Sequence, residues 1–202
     1  YDLLNRKTKM TYPDNSFESY SYDETGNLRT YTNRNGDICT YTYDNRNRET
    51  LSVWSNKKTP SITHTYDSAG RLLTLSGKVS TIKYSYDNAN ELVKDIENLA
   101  GAANNRVLTY KYNADELRSQ LTYPDGTVVK YIYTARNQLD SILNGAKTLT
   151  HYSYDLNGNR LNKTLENKTS TAYTYDDANM ILSITHQKGA VSFASFNYAY
   201  DN

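Results

Sequence analysis

Tyrosine and aspartate recur side by side along this chain, and together they are the side chains best placed to bind a ligand. The chain has 21 tyrosines in 202 residues, and most of them stand in the pattern Tyr-x-Tyr-Asp, as in Tyr20-Ser21-Tyr22-Asp23. Exposed tyrosine rings stack on sugars or peptides, whereas paired rings within a sheet stabilise neighbouring strands. Because the two tyrosines are two residues apart, they share one face of a strand, and we expect a ladder of rings that supports the fold.

The aspartate after each tyrosine pair is a candidate for calcium binding or for turn capping. Calcium loops gather several oxygen ligands within about twelve residues, but here usually one aspartate stands at each turn. In the segment from Tyr22 to Gly26, Asp23 takes the first position of a type I turn and Gly26 the fourth. The aspartate side chain then accepts backbone N–H groups, so we expect turn capping.

The remaining reactive side chains, the histidines and the cysteine, are not clustered in the sequence. His64 replaces a ladder tyrosine, while His151 and His186 are far from it and from each other. Cys39 lies in a segment typical of a strand, where a small buried apolar residue is the ordinary role. We therefore expect no catalytic residue, no metal site and no cofactor, and we expect the protein not to be an enzyme.

The tyrosine pattern is an internal repeat that runs the length of the chain. The second tyrosine of each pair, called the marker tyrosine below, occupies positions 1, 22, 43, 66, 86, 112, 133, 154, 175 and 200. The intervals of 20 to 26 residues give nine units and the start of a tenth. Eighteen of the 21 tyrosines belong to this motif, so the repeat explains the composition.

Each unit carries two turn signals. Four residues after the marker tyrosine stands glycine or asparagine, the residues that most readily adopt a left-handed conformation: Asn5, Gly26, Asn47, Gly70, Asn90, Asn137, Gly158 and Asn179. The unit that begins at Tyr112 reads one residue shorter, and we expect a different turn there. Each unit also has a turn near its middle, as at Asn35-Gly36 and Pro124-Asp125-Gly126.

Two turns per unit predict strands of about six residues between them. Nine units then give about eighteen antiparallel strands, with no helical pattern of any length. The predicted fold is all-β, a repeat protein of strand-turn-strand units in a long, spiralling antiparallel sheet, as in a segment of a β-shell or barrel.

Charge and hydropathy exclude several classes of function. The formal charge is +1, which argues against nucleic acid as a partner. No apolar run approaches the roughly 18 residues of a membrane span, so we expect no membrane insertion. A single cysteine excludes an internal disulfide. The chain opens on Tyr1-Asp2 and closes on Tyr200-Asp201-Asn202, so we expect residues 1–202 to be a single repeat segment of a longer protein.

The motifs Tyr-Asp-x-x-Gly-Asn-Leu at Tyr22–Leu28 and Tyr-Asp-x-Asn-Gly-Asn-Arg-Leu at Tyr154–Leu161 resemble the YD repeat of the Rhs family. That family includes polymorphic toxins, encapsulating components of insecticidal toxin complexes, and teneurins. The resemblance covers all 202 residues. It implies the wall of a hollow β-shell around a C-terminal toxin or effector polypeptide, in a secreted or cell-surface protein.

The resemblance also implies that the partners are other parts of the same polypeptide, namely further repeats and the C-terminal cargo. The two open sheet edges predict self-association of the isolated segment. The alternative function is a cell-surface adhesion or carbohydrate-binding module or fibre, which would take glycans as partners.

The residues that we expect to maintain the repeat are the paired tyrosines, the capping aspartates and the turn glycines. They are Tyr20, Tyr22, Asp23, Gly26, Tyr41, Tyr43, Asp44, Tyr66, Asp67, Gly70, Tyr84, Tyr86, Asp87, Tyr110, Tyr112, Tyr131, Tyr133, Tyr152, Tyr154, Asp155, Gly158, Tyr173, Tyr175 and Asp176.

Overall fold

The computed structural model describes residues 1–201, which form β-strands joined by turns. Eighteen strands and no helix occur in this range, so the all-β, antiparallel fold predicted from the sequence is confirmed. The chain divides into a first compact unit, Tyr1–Val107, and a second that begins at Leu108. No segment of residues 1–201 forms a helix of the length and hydropathy needed to span a membrane.

In the first unit each strand pairs antiparallel with the next along the chain. The strands are β1 (Lys9–Thr11), β2 (Phe17–Tyr22), β3 (Leu28–Thr32), β4 (Ile38–Tyr43), β5 (Glu49–Trp54), β6 (Ile62–Tyr66), β7 (Leu72–Ser76), β8 (Ser80–Tyr86) and β9 (Leu92–Leu99).

The second unit repeats this meander. Its strands are β10 (Arg106–Tyr112, which contains the division between the units), β11 (Arg118–Thr122), β12 (Val128–Tyr133), β13 (Leu139–Asn144), β14 (Lys147–Tyr154), β15 (Arg160–Leu165), β16 (Thr169–Tyr175), β17 (Ile181–Lys188) and β18 (Val191–Asn197).

A bulge recurs at the same place in the repeat. Between Ser21 and Tyr22 the register of β2 against β3 shifts, so that Ser21 opposes Thr30 whereas Tyr22 opposes Leu28. The same shift directly precedes the marker tyrosines Tyr43, Tyr66, Tyr86, Tyr112, Tyr133, Tyr154 and Tyr175. Bulges re-aim side chains locally, so each marker tyrosine meets its neighbouring strand in the same way.

Burial alternates along the strands and places the tyrosines on the less exposed face. In β4, Cys39 is buried and Tyr41 and Tyr43 are half-buried, while Thr40 and Thr42 between them are exposed. Few side chains are fully buried in either unit: Cys39 is 2% exposed in the first, and Leu121 and Val129 are each 8% exposed in the second. The chain is long enough for a larger core. Half-buried tyrosines occupy much of this face instead.

Candidate functional site

The aspartate after a marker tyrosine closes the turn through both its backbone and its side chain. The Asp23 N–H donates to the Asn27 carbonyl oxygen at 2.9 Å, and the Gly26 N–H donates back to the Asp23 carbonyl oxygen at 3.1 Å. The Oδ1 atom of Asp23 accepts the N–H groups of Thr25 and Asn27. The same two backbone bonds close the turns at Asp2, Asp44, Asp67, Asp87, Asn113, Thr134, Asp155 and Asp176.

These hydrogen bonds favour the ionised form of the carboxylates. The Arg48 side chain, followed by its backbone N–H, lowers the pKa of Asp44 to about 2. At Asp23, Asp67 and Asp155 burial acts in the opposite direction, but the turn's hydrogen bonds outweigh it and the pKa is lowered. The carboxylate oxygens are thus directed at N–H donors of their own turns, which is the geometry of a cap.

The turn at Tyr112 corrects one sequence-based expectation. Asn113 closes it through the ordinary pair of bonds, with its N–H donating to Leu117 and the Glu116 N–H donating to Asn113. Glu116 therefore takes the left-handed position, with φ of 60°, where Gly26 has 93° and Gly158 has 92°. The prediction of a shorter, different turn was wrong, because tertiary pairing imposes the left-handed conformation on a residue that does not favour it.

Marker tyrosines in both compact units bond to the backbone of the preceding repeat. The Tyr43 hydroxyl donates to the Leu28 carbonyl oxygen at 2.9 Å, and Leu28 is the sixth residue after the previous marker tyrosine. The equivalent bonds, all between 2.8 and 3.0 Å, join Tyr22 to Lys7, Tyr66 to Glu49, Tyr86 to Leu72, Tyr133 to Arg118, Tyr154 to Leu139, Tyr175 to Arg160 and Tyr200 to Ile181.

Burial raises the pKa of Tyr43, Tyr86, Tyr133 and Tyr175, so these phenols stay protonated and remain donors. The acceptor carbonyl lies near the start of a strand, where the bulge interrupts the backbone hydrogen bonds between strands. The tyrosine hydroxyl supplies the hydrogen-bond donor that this carbonyl would otherwise lack. These bonds connect one repeat to the one before it. The sequence motif marks the tyrosine but does not show its acceptor, because the acceptor lies 14 to 19 residues earlier in the chain.

In all pairs before the last, in which Tyr198 is exposed, the first tyrosine lies half-buried on the same face as the marker. This is the placement of Tyr20, Tyr41, Tyr84, Tyr110, Tyr131, Tyr152 and Tyr173, and of His64 in the altered unit. Cations cover several of these rings: the Lys7 ammonium lies 5.0 Å from the ring centre of Tyr20, and the Arg160 guanidinium 4.8 Å from that of Tyr152. Such contacts stabilise a pair by about 0.5–1 kcal/mol at exposed sites.

An arginine joins the turn of one repeat to the marker tyrosine of the next in part of the first unit. The Arg48 Nε donates to Asp44 Oδ2 at 2.8 Å, and the guanidinium carbon lies 4.4 Å from the ring centre of Tyr66. Arg6 joins Asp2 to Tyr22, and Arg71 joins Asp67 to Tyr86, in the same way. Sequence analysis missed these arginines, although their constant place five residues after the marker tyrosine was a usable signal.

Polar side chains also connect consecutive turns at one end of the strands. Asn27 Nδ2 donates to Asn47 Oδ1 at 2.9 Å, one repeat further on. Arg71 reaches Asn90 Oδ1 and Gln138 reaches the Gly158 carbonyl oxygen in the corresponding way. Turns of consecutive repeats are therefore aligned with each other and joined by side-chain hydrogen bonds.

The histidines and the cysteine are dispersed. His64 Nδ1 lies 3.8 Å from Glu49, and His151 Nδ1 lies 3.9 Å from Asp140, while His186 contacts Thr171. Cys39 is buried on β4, opposite Trp54 on one side. Across residues 1–201, no three His, Cys, Asp or Glu side chains come close enough together to hold a metal ion.

Two clefts of about 600 and 620 Å³ lie between consecutive turns, at matching places in the repeat. One is lined by Tyr41, Tyr43, Asp23 and Asp44, and the other includes Tyr152 and Asp155. Their recurrence follows from the repeat itself, because each lies between neighbouring turns of the same design.

Tyrosine-aspartate repeats whose marker tyrosines bond to the preceding repeat define the class of this protein. Residues 1–143 match the profile described as Teneurin YD-shell, and residues 154–191 match the one described as RHS Repeat. The first match covers well over half of the chain, and the chain belongs to the YD-shell family of repeat proteins.

The proteins and solved structures that this chain resembles are much longer than the chain itself. The tRNA3(Ser)-specific nuclease WapA of Bacillus spizizenii is 31% identical over 98% of this chain, which spans 11% of WapA. The crystal structure of TcdB2-TccC3 matches the whole chain with a TM-score of 0.80 at 14% identity, over 12% of its own length. A Photorhabdus luminescens Tc holotoxin pore containing TccC3 matches with a TM-score of 0.77 at 13% identity, over 11% of its length. At such identities the structural matches show the fold.

Proposed function

We propose that this chain is a non-enzymatic wall segment of a hollow Rhs-type β-shell that encapsulates a C-terminal toxin or effector polypeptide. The observation that carries the proposal is the bond from a marker tyrosine to the preceding repeat, as from Tyr43 to Leu28. This bond recurs in both units, so successive repeats are positioned by the ones before them. A wall that extends by identical steps is suited to enclosing a volume.

The mechanism is steric. Backbone hydrogen bonds between consecutive strands leave no gap wide enough for an unfolded chain, and closure of a sheet also removes the edges at which other chains would pair. The polar turns face water, while the cargo behind the wall is kept from solvent, proteases and the producing cell. No step in this role requires a nucleophile, a metal or a cofactor.

The partners in this proposal are further repeats and the C-terminal cargo of the same polypeptide. The length of WapA and of the Tc toxin structures, of which this chain spans 11 to 12%, supports a parent protein with such additional parts. In isolation, residues 1–202 would self-associate through their open strand edges. We place the parent protein outside the producing cell, secreted or on the cell surface, because a cargo needs a shell until delivery.

The alternative is an adhesion module that binds glycans. The specific observation in its favour is the pair of clefts between turns, where Tyr41 and Asp44 or Tyr152 and Asp155 offer a ring beside a carboxylate. Rings with adjacent polar groups are the usual chemistry of sugar sites. Replacing Tyr41 and Tyr152 with alanine would abolish saturable glycan binding in an adhesion module, whereas a wall segment would bind none at the outset.

The deciding experiment is electron microscopy of the intact parent protein combined with limited proteolysis. Encapsulation predicts a closed particle with internal density and a C-terminal segment that resists protease. Changing Tyr43, Tyr66 and Tyr133 together to alanine would open the wall and expose that segment, while Tyr123→Ala, outside the motif and 42% exposed, would not. A fibre or open sheet with a protease-sensitive C-terminus would refute the proposal.

A further inference from the structure

One carboxylate in the first repeat holds two tyrosines that also touch each other. The hydroxyl of Tyr20 donates to Glu18 Oε2 at 2.8 Å, and that of Tyr31 donates to Glu18 Oε1 at 3.0 Å. Tyr20 on β2 and Tyr31 on β3 are a direct cross-strand pair, and their ring centres lie 5.3 Å apart. Since both hydroxyls donate to one carboxylate, the hydroxyl ends of the two neighbouring rings lie on the same side of the pair.

This pairing is particular to the first repeat. The residue opposite the first tyrosine of a pair is Ser52 at Tyr41, Asp95 at Tyr84, Leu121 at Tyr110, Ile142 at Tyr131, Lys163 at Tyr152 and Ile184 at Tyr173. A second tyrosine at this position adds little to a ladder that the other repeats maintain without one. The pair and its shared carboxylate therefore point to a chemical property beyond strand pairing.

A phenol loses an electron most readily when its proton has a base to go to, because the cationic radical of an intact phenol is very acidic. Glu18 supplies that base by direct hydrogen bonds. The hydrogen bonds from Tyr20 and then from Tyr31 lower the pKa of Glu18, so the acceptor is ionised. The same bond raises the pKa of Tyr20 to about 12, so the phenol keeps its proton until it is oxidised.

The surroundings provide a route for the oxidising equivalent. Trp54 packs edge-on against Tyr31, with ring centres 6.0 Å apart at 83°. An indole oxidised at this position can take an electron from Tyr31, whose proton then passes to Glu18. The half-buried rings thus need not meet the oxidant directly.

We propose that Tyr20 and Tyr31 are an oxidative cross-linking site, at which a one-electron oxidant produces a dityrosine bond between β2 and β3. Each tyrosine gives one electron to the oxidant and its hydroxyl proton, through Glu18, to water. The two radicals join through ring carbons adjacent to the hydroxyls. Each joined carbon then transfers its hydrogen to the phenol oxygen, which restores both rings. The product has lost two hydrogen atoms in all, and one new carbon–carbon bond has formed.

The test uses the purified chain with a photo-oxidised ruthenium tris-bipyridine complex as the one-electron oxidant. Persulfate is the final electron acceptor, and it takes the two electrons and leaves as two sulfate ions. Denaturing electrophoresis separates covalent dimers from single chains, and peptide mapping by mass spectrometry of this monomer fraction should find residues 20 and 31 joined with the loss of two hydrogens. Dityrosine fluorescence in that fraction should not depend on protein concentration, because the reaction is intramolecular.

Three variants separate this site from general tyrosine oxidation. Tyr31→Phe keeps the ring and should abolish the linked peptide. Tyr123→Phe should preserve it, because Tyr123 is exposed and lies outside the motif, and so should Tyr152→Phe in the second unit. Monomer cross-links that map elsewhere while the peptides of residues 20 and 31 stay unmodified would overturn the proposal, as would cross-links found in dimers alone.

Glu18 is tested as the positioning residue and proton acceptor with Glu18→Gln. This variant should lose the 20–31 link while oxidation at Tyr152 continues, and circular dichroism checks the fold. In the unaltered chain the link should also disappear in acid, as Glu18 takes up a proton; because the pKa of Glu18 is lowered, this loss lies below the ordinary carboxyl value of 4.5. A link that persists in Glu18→Gln, or that shows the same pH profile in both proteins, would remove Glu18 from the reaction.

Discussion

The Tyr43 hydroxyl donates a 2.9 Å hydrogen bond to the Leu28 carbonyl oxygen, so a side chain of β4 holds the first residue of β3. The same relationship recurs between 2.8 and 3.0 Å at Tyr22, Tyr66, Tyr86, Tyr133, Tyr154, Tyr175 and Tyr200. It is the contact by which the tyrosine of the motif acts on the neighbouring repeat. Its removal should therefore be measurable at a single site.

Tyr43→Phe should lower the free energy of unfolding by about 1 kcal/mol, the usual net value of one hydrogen bond. The ring and its packing are preserved, so the lost hydroxyl is the change. Urea denaturation followed by circular dichroism measures the effect. The matched control is Tyr123→Phe, whose exposed side chain lies outside the motif and should change stability little. Equal losses in the two variants would mean that the Tyr43 hydroxyl has no special role.

Asp44 makes the stability of the folded chain depend on pH in the acid range. Its folded pKa is about 2, below the ordinary value of 3.8, so the ionised form is favoured by folding. The stabilisation is complete above pH 3.8 and decreases as pH falls toward 2. Asp44→Asn keeps the side-chain oxygen that accepts the turn's N–H groups, as Asn113 does.

The variant should therefore fold at neutral pH but show a weaker loss of stability between pH 4 and 2 than the unaltered chain. Thermal unfolding across this range measures the difference. Parallel curves for the two proteins would show that Asp44 does not titrate as described.

Glu116→Gly should stabilise the protein, because glutamate at φ of 60° is held in a left-handed conformation that glycine adopts without cost. The expected gain in the free energy of unfolding is about 1 kcal/mol, the lower end of the cost of such strain. Asp115→Gly, at the preceding position of the same turn, has no positive φ to relieve and should be neutral or destabilising. A gain at both positions would point to the loop's charge and not to its backbone.

Arg48 should be energetically coupled to Tyr66, because its guanidinium lies 4.4 Å from the ring centre while its Nε holds Asp44. A double-mutant cycle with Arg48→Met and Tyr66→Leu should give an interaction energy of about 0.5–1 kcal/mol. Chemical denaturation supplies the four stabilities. The pair Arg34 and Tyr66, which share no contact, serves as the additive control. An Arg48–Tyr66 energy near zero would assign the arginine to its turn alone.

The local features of the repeat were predictable, and its long-range contacts were not. Asp23 and Gly26 predict their turn, because side-chain capping and a left-handed φ depend on residues within four positions of each other. The acceptor of the Tyr43 hydroxyl depends on strand register and on the bulge before Tyr43, which no residue of the motif displays. Glu116 shows the converse: the local pattern argued against the ordinary turn, and pairing of β10 with β11 imposed it.

The bond from a marker tyrosine reaches back one repeat and no further, and this has a consequence for how such proteins change over generations. A gene that gains or loses the coding length of one whole repeat leaves every remaining tyrosine with an acceptor of the same kind. A gain of half a repeat would instead bring the tyrosine against the opposite turn. Duplication and loss are thus tolerated in whole steps, and the size of the structure can be inherited as a number of repeats.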